Sequence, residues 1–408
     1  MIGGGIFSIL GIAVSLIGVY APVAISIGGV IAMMAAYSYI KLGIHYQDEG
    51  ATYSFYKKTF PASPFAASLI GWWVIFGYIS TLALYAYTFA SYAISGLTFA
   101  EDEWIRKLVA GGVIFVFMLV NIWSVKGMGK IEDIMVYTKL IILVIISFIL
   151  INNSQASLPQ LVQESGDLSV LTVLIVAAIT FVSYEGFQLV INAVNEMDRP
   201  EVKIPRAIYS AIMLAILIYV VISVGAILTI PFTDIINNQE YALAAGAGNI
   251  LGRWGSSLVI AGALLATSSA ISGTMFGASR QMAVIAEDGY FPAMLARRFR
   301  HIPVYSIMTM AVFAFTLILS GSLQVILEFG SVTFLLVSLL MAYANFRIRR
   351  QTASSALLTI ISIVGLGLGT VLIMFYEFNN RPEQVYFILA IYLTLTVVAW
   401  LYSVNRRR

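Results

Sequence analysis

The chain has 408 residues, 60% hydrophobic and 11% charged, and its mean hydropathy is +0.93. That lies far outside soluble globular usage. Apolar runs of about 20 residues recur along it without the alternation of a membrane β-barrel, so the fold class is an all-α polytopic membrane protein. No cysteine is present, which excludes disulfides, thiolate metal sites and cysteine nucleophiles. The net charge of +3 is silent on nucleic acid, and no basic n-region of a cleavable signal peptide opens the chain.

Hydrophobic patterning predicts about 12 spans, at 6–20, 22–42, 66–97, 105–125, 131–151, 170–197, 205–230, 251–286, 302–320, 323–346, 354–376 and 384–404. The first begins at Met1-Ile2-Gly3-Gly4-Gly5-Ile6-Phe7. Glycines let a helix unwind and present backbone N–H groups beside a helix N-terminus, an arrangement that suits a carboxylate. The plainer reading is close helix packing through small residues. Spacing alone does not choose between them. The third and eighth spans are long enough to require tilt. Trp72, Trp73, Trp104 and Trp254 fall near span ends, as an interfacial belt would.

The fifth span contains Lys139, eight residues past Ile131 and so about 12 Å along a helix. Snorkelling is the plain reading. An ammonium at the centre costs roughly 2.5–3.5 kcal/mol on insertion scales, so a partner or loss of the proton is required. Glu132 and Asp133 belong to that helix's first turn, where its dipole favours anions.

The sixth span organises the chain. It starts apolar, breaks at Ser183-Tyr184-Glu185-Gly186, resumes as an apolar run and ends in MDRPEVKIPR. A carboxylate beside a glycine at that depth must face protein or a water-filled cavity. Unwound carbonyls there suit an ammonium group, with Phe181 as an aromatic cap. Glu185 is open to three readings: it accepts an amine, it titrates, or it braces the broken helix.

In the eighth span Thr267-Ser268-Ser269 offers hydroxyls for an ion site or for Lys139, although back-bonding to the preceding turn is the simpler reading. Glu328, a few residues inside the tenth span, reads as a snorkelling side chain and a weak site candidate.

With the N-terminus inside, 18 of the 23 Lys and Arg residues fall on the cytoplasmic side, four outside and one, Lys139, within a span. The positive-inside rule then places both termini in the cytoplasm. A broken first span, a long third and a charged fifth are followed by a broken sixth and a long eighth. That order is the pattern of inverted repeats of five spans each. Hydrolase, zinc-protease and nucleotide-binding motifs are absent, and the two histidines, His45 and His301, lie in predicted loops. An enzyme is therefore not expected, nor is a metal or cofactor.

Four stretches together carry a resemblance: MIGGGIFS, GKIEDIMVYTKLIIL, SYEGFQLVINAVNEMDRPEVKIPRAI and ATSSAISGTMFGASRQMAVIAEDGYFP. The chain resembles the amino acid–polyamine–organocation (APC) superfamily over nearly its whole length. Its look is closest to the prokaryotic proton-coupled, broad-specificity amino acid transporters. The resemblance implies one transporter domain with a leucine-transporter-like (LeuT-like) 5+5 inverted repeat (1–152 and 169–347) and two added spans (354–405). It implies that Ile2, Gly3, Gly4, Gly5 and Ile6 receive a substrate carboxylate. Phe181, Ser183, Tyr184, Glu185 and Gly186 would receive the amine and form the lid. Lys139 would occupy a sodium-like site near Ser268 and Ser269. The expected function is proton-coupled symport of amino acids across the cell membrane, by alternating access in a lipid bilayer. A polyamine or cationic amino acid carrier is the alternative, and a sensor or channel on the same fold the less favoured one. There are two departures. The half-helix that family members carry before the glycine motif is missing, so the first span is expected to be truncated or its start misassigned. Glu185 stands where many members carry a neutral residue.

Overall fold

The computed structural model describes residues 2–48, 50–123, 125–154, 157 and 169–405. Among them no strand forms. Fourteen α-helices follow one another: α1 Gly5–Ile17, α2 Ala21–Tyr46, α3 Ala51–Thr59, α4 Pro64–Ile94, α5 Glu103–Trp123, α6 Val125–Asn152 and α7 Val170–Thr180. Then come α8 Pro200–Thr229, α9 Phe232–Asn237, α10 Ala242–Glu287, α11 Val304–Ser320, α12 Leu323–Arg347, α13 Ala356–Asn380 and α14 Pro382–Asn405. Short 3₁₀ segments, Phe181–Tyr184 and Phe187–Glu196, continue the chain after α7.

Local chemistry marks the ends. Ser63, Ser169, Ser322 and Ser355 cap α4, α7, α12 and α13 with their side chains. Pro200 opens α8 at a position where its missing N–H is not needed. Gly18, at φ 52, turns the chain sharply between α1 and α2, a conformation that costs glycine least. Gly252, at φ 65 and ψ −155, kinks α10, so the predicted start of the eighth span at 251 falls on a real break.

Among the described residues ten stretches are long and apolar enough to cross a membrane, against the twelve expected. The difference has two physical sources. Gly5–Tyr46 counts as one stretch although the turn at Gly18 divides it. The apolar helix α11 has 17 residues, at the lower limit for a span. Burial sorts the helices into a centre and a rim. Pro64–Ile94 and Leu323–Arg347 are 78% buried over their apolar windows, whereas Glu103–Trp123 and the two C-terminal helices are 28% buried. α1 lies inside, touching α2, α4, α7, α8, α9, α10 and the first 3₁₀ segment. Outer faces such as Phe115, Val116 and Leu119 on α5, or Val364 and Val371 on α13, are exposed, as a lipid-facing rim requires.

The tryptophans divide in the same way. Trp104 and Trp254 are exposed, as an interfacial belt requires. Trp72 instead packs on Phe291 and donates to Tyr290 O at 3.0 Å, and Trp73 packs edge-on against Tyr392. These two serve the interior.

Each end of the bundle is tied by polar contacts. At one end α3 is pinned to α10: Lys57 Nζ lies 2.6 Å and Tyr53 Oη 2.7 Å from Asp288 Oδ2. Beside them Lys58 pairs with Asp48, whose Oδ1 also accepts from Gly50 N at 2.8 Å. At the other end Arg106 pairs with Glu240. Tyr87 Oη donates to Glu240 Oε1 at 3.1 Å, and Tyr241 Oη to Glu101 Oε1 at 2.6 Å. The segment carrying Glu240 lies over α1, so closely that a Cβ at Gly11 would come within 2.2 Å of Gln239 O.

Burial by itself would raise the Asp48 carboxyl, but the Lys58 and Gly50 donors outweigh it and hold the group below the usual carboxylate range. A depressed folded-state pKa contributes stability above the unfolded value and loses it as pH falls through the folded one. Thermal unfolding in detergent is therefore expected to show a small acid-side loss. Its size is at most about 1 kcal/mol for a pair at the water boundary, and the Asp48→Asn protein lacks it. A Tm-versus-pH curve identical for the two proteins would contradict this.

Candidate functional site

The first break is the start of α1. Gly4 is its N-terminal flanking residue and has no side chain to cap it. The N–H groups of the first turn point out of the helix with no earlier carbonyl to take them, while Ser8 Oγ donates back to Gly4 O and Gly5 O, each at 3.0 Å. Ile2, Gly3, Gly4, Gly5 and Ile6 are all buried.

The second break follows α7. Phe181–Tyr184 tighten to 3₁₀, Glu185 is extended (φ −66, ψ 159), and Gly186 is left-handed at φ 101. Here glycine is a conformational requirement. The predicted apolar continuation exists but as 3₁₀ rather than α-helix, and its N–H groups therefore reach three residues back instead of four.

The two breaks meet. A Cβ placed on Gly5 would lie 2.9 Å from Ser183 Cβ, 3.0 Å from Ser183 O and 2.8 Å from Tyr219 Oη. Tyr219 Oη, from α8, donates to Ser183 O at 3.2 Å. Gly3 and Gly4 pack instead on α10 and α4. A Cβ on Gly3 would be 2.7 Å from Ala270 Cβ, and one on Gly4 3.0 Å from Thr267 Cγ2 and 3.1 Å from the Tyr85 ring.

Glu185 is 2% exposed. Its Oε2 accepts from Gln188 Nε2 at 2.7 Å, and Gln188 Oε1 in turn accepts from Gly186 N at 3.1 Å. Glu185 Oε1 and Ser183 Oγ are buried with no hydrogen-bond partner among the described residues. Tyr39, Tyr78 and Tyr85 surround the carboxyl within electrostatic reach. Tyr184 does not face this group: its Oη donates to Ile25 O at 2.8 Å, and its ring packs on Tyr219. Phe181 is fully buried.

Lys139 does not snorkel. It is buried, and Nζ donates to Ser269 Oγ at 2.6 Å. Ser269, like Thr267, also back-bonds to its own helix. Ser268 is buried beside it on α10. Ser269 adjoins Ala270, the residue against Gly3, so one step of backbone links the lysine to the first break. Glu132 and Asp133 lie outside the described side chains, and Met1 outside the described residues.

Sequence reasoning missed the tyrosines. Tyr78, Tyr85 and Tyr92 recur every seven residues along α4, two helical turns per step and hence one face. The structure turns that face to both breaks. Tyr92 Oη donates to Phe7 O at 3.1 Å, Tyr85 covers Gly3 and Gly4, and Tyr78 lies by Gln188 and Glu185. The signal was phenol groups repeating within an otherwise apolar span.

The start of one helix thus meets the break of another in the interior of a helical bundle, one offering N–H groups and the other a carbonyl and a carboxylate; the amino acid permease family and its transporter relatives mark the chain as a transporter rather than an enzyme. Comparison with known proteins makes this specific. The amino acid permease family model matches residues 1–400, and the chain belongs to that family, within the APC superfamily. It is 26% identical over 407 residues to the inner membrane transport protein YbaT of Escherichia coli, covering all of this chain and 94% of YbaT. It is also 26% identical over 411 residues to an uncharacterised protein of Methanocaldococcus jannaschii, covering 100% and 93% of the two chains. Identity to the chloroplastic cationic amino acid transporter 7 of Arabidopsis thaliana is 25%, over 84% of this chain and 62% of that one.

The junction is testable with one added methyl. Gly5→Ala forces apart Ser183, its carbonyl and Tyr219, and is expected to destabilise by about 1–3 kcal/mol, the usual range for overpacking. Gly112→Ala on α5, where nothing lies within 4 Å of the added atom, is expected to leave the thermal midpoint in place. Equal midpoints for the two variants would contradict the close approach.

Proposed function

We propose that this protein is a secondary carrier that moves amino acids across the cell membrane by alternating access, coupled to protons. The observation that carries the reading is the meeting of the two breaks at Gly5 and Ser183, with Lys139 one backbone step away through Ser269 and Ala270. An amino acid has an anionic end that suits the open N–H groups of α1. Its cationic end suits carbonyls and the unpartnered Ser183 Oγ at the second break. Ile2 to Ile6 would hold the carboxylate and Phe181 to Gly186 the amine. Lys139, with Ser268 and Ser269, would gain and lose the coupling proton. YbaT, an inner membrane transport protein, agrees with this reading.

The same reading takes the architecture as twelve spans: α1 and α2 as two, and α11 as one. It takes 1–152 and 169–347 as inverted repeats. Support comes from packing between elements at matching places in the two halves: α2 on α8, α4 on α10, α5 on α11, and α1 on the first 3₁₀ segment. The lysine and arginine bias supports cytoplasmic termini.

A second reading rests on Glu185 Oε1, a buried acceptor without a donor among the described residues, and on the likeness to the Arabidopsis cationic amino acid transporter. In it the cargo is a cationic amino acid whose side-chain charge meets Glu185.

Uptake of a labelled amino acid mixture into proteoliposomes tests the carrier. An inward proton gradient is expected to drive accumulation in wild type and not in Lys139→Ala, whose fold is checked by thermal unfolding. Accumulation driven by sodium alone, or proton-driven uptake unchanged in Lys139→Ala, overturns the coupling. No uptake of any amino acid overturns the cargo. Competition separates the two readings of substrate. Glu185→Gln is expected to weaken lysine and arginine at least tenfold more than alanine under the second reading, and to weaken all three alike under the first.

A further inference from the structure

Glu328 and Glu377 take no part in the site described above. Glu328 lies in the second turn of α12 and Glu377 in the last turn of α13, and neither side chain is exposed. The expected snorkelling of Glu328 therefore does not occur. Gln324 Nε2 donates to Glu328 Oε1 at 2.7 Å. Gln384, in the first turn of α14, turns its amide nitrogen to both carboxyls, 2.9 Å from Glu328 Oε2 and 3.0 Å from Glu377 Oε2. That orientation is assigned from its neighbours, since the reverse would set oxygen against oxygen. The fourth carboxyl oxygen, Glu377 Oε1, is buried and has no partner among the described residues.

The charged and titratable groups facing the pair are Arg381, just past the end of α13, and Tyr376. α12 and α14 turn the neutral amides of Gln324 and Gln384 toward it. α4, which packs on both of those helices, carries no Asp, Glu, Lys, Arg or His. Amides donate hydrogen bonds but balance no charge. Two ionised carboxyls would thus set two negative charges against one guanidinium, out of reach of water. Like charges sharing one small site do not both persist there. A single proton balances the set and supplies the donor that this cluster lacks.

We propose that Glu328 and Glu377 form a proton-binding site that holds one proton between them and joins α12, α13 and α14. It is separate from Lys139 and does not rest on the carrier reading. Binding of the proton replaces a repulsion between two helices with a hydrogen bond. The proton thereby adds a fastening between these helices, beside the packing that already holds them on the bundle.

The test uses the whole protein in detergent at neutral pH. Dicyclohexylcarbodiimide, which attacks protonated carboxyls in apolar surroundings, is expected to label Glu328 or Glu377, located by peptide mass spectrometry. No label on either residue overturns the proposal, and this arm needs no variant to fold. Infrared spectroscopy then distinguishes a shared proton from an isolated acid. The part of the protonated-carboxyl C=O band due to this site is expected to vanish in Glu328→Gln and in Glu377→Gln alike. Each variant leaves a single carboxylate beside Arg381. Loss in just one of the two variants would mean an ordinary buried acid and would overturn the sharing.

Discussion

A backbone group opened inside a membrane has no water to turn to, and this chain opens one helix at Ser183–Gly186 where the start of another touches it. Each break is tolerable because the other element and its surrounding tyrosines lie against it. Ser183 O, freed as the first 3₁₀ segment gives way to extended chain, is taken by Tyr219 Oη. Gly5 has no side chain, and that alone lets α1 come this near. A buried carbonyl left without a donor costs about 1–3 kcal/mol, so the tyrosine at this contact is as much a part of the break as the glycine. Tyr184, bonded to Ile25 O, and Tyr92, bonded to Phe7 O, fix the same two segments to α2 and α4. The surrounding helices are thus arranged around one contact that few other residue types would permit.

The interior charges follow a second constraint. Lys139 donates to a serine hydroxyl, and Glu185 accepts from a glutamine amide. A buried ion pair holds both charges in place, because removing one strands the other at a cost of about 3–5 kcal/mol. The neutral amide beside Glu185 imposes no such penalty when a proton arrives or leaves, since it can donate or accept. The paired charges Arg106–Glu240 and Lys57–Asp288 sit instead at the two ends of the bundle, where they tie loops to helices.

Much of this was legible in the sequence, for physical reasons that differ by residue. Gly3 to Gly5 and Ser183 to Gly186 interrupt apolar runs with residues that lipid does not accept, so the breaks declared themselves. Lys139 and Ser269 met as the resemblance implied. The tyrosine face of α4 was present as a seven-residue period but hid among 22 tyrosines, most of which pack as ordinary large side chains. Glu328 was misread because its partners, Glu377 and Gln384, lie on later helices and leave no local trace near it. The division of Gly5–Tyr46 by one left-handed glycine shows why a hydropathy window counts fewer spans than the chain has turns. Trp72 and Trp73, read from position as interfacial, also pack on Phe291 and Tyr392.

The place of Lys139 also bears on how a proton and a solute would be linked on the carrier reading. Its partner Ser269 and the residue against Gly3, Ala270, are neighbours on α10, a helix that rises only about 1.5 Å per residue. Two adjacent residues of one helical turn, well away from the kink at Gly252, do not shift independently. On that reading, if Lys139 gave up its proton, the charge beside Ser269 would disappear, and an adjustment of α10 there would reach the residue against Gly3. No long pathway of side chains is needed. Coupling of this kind would require only that two arrangements of α10 differ in how well they hold the proton and how well they hold the solute.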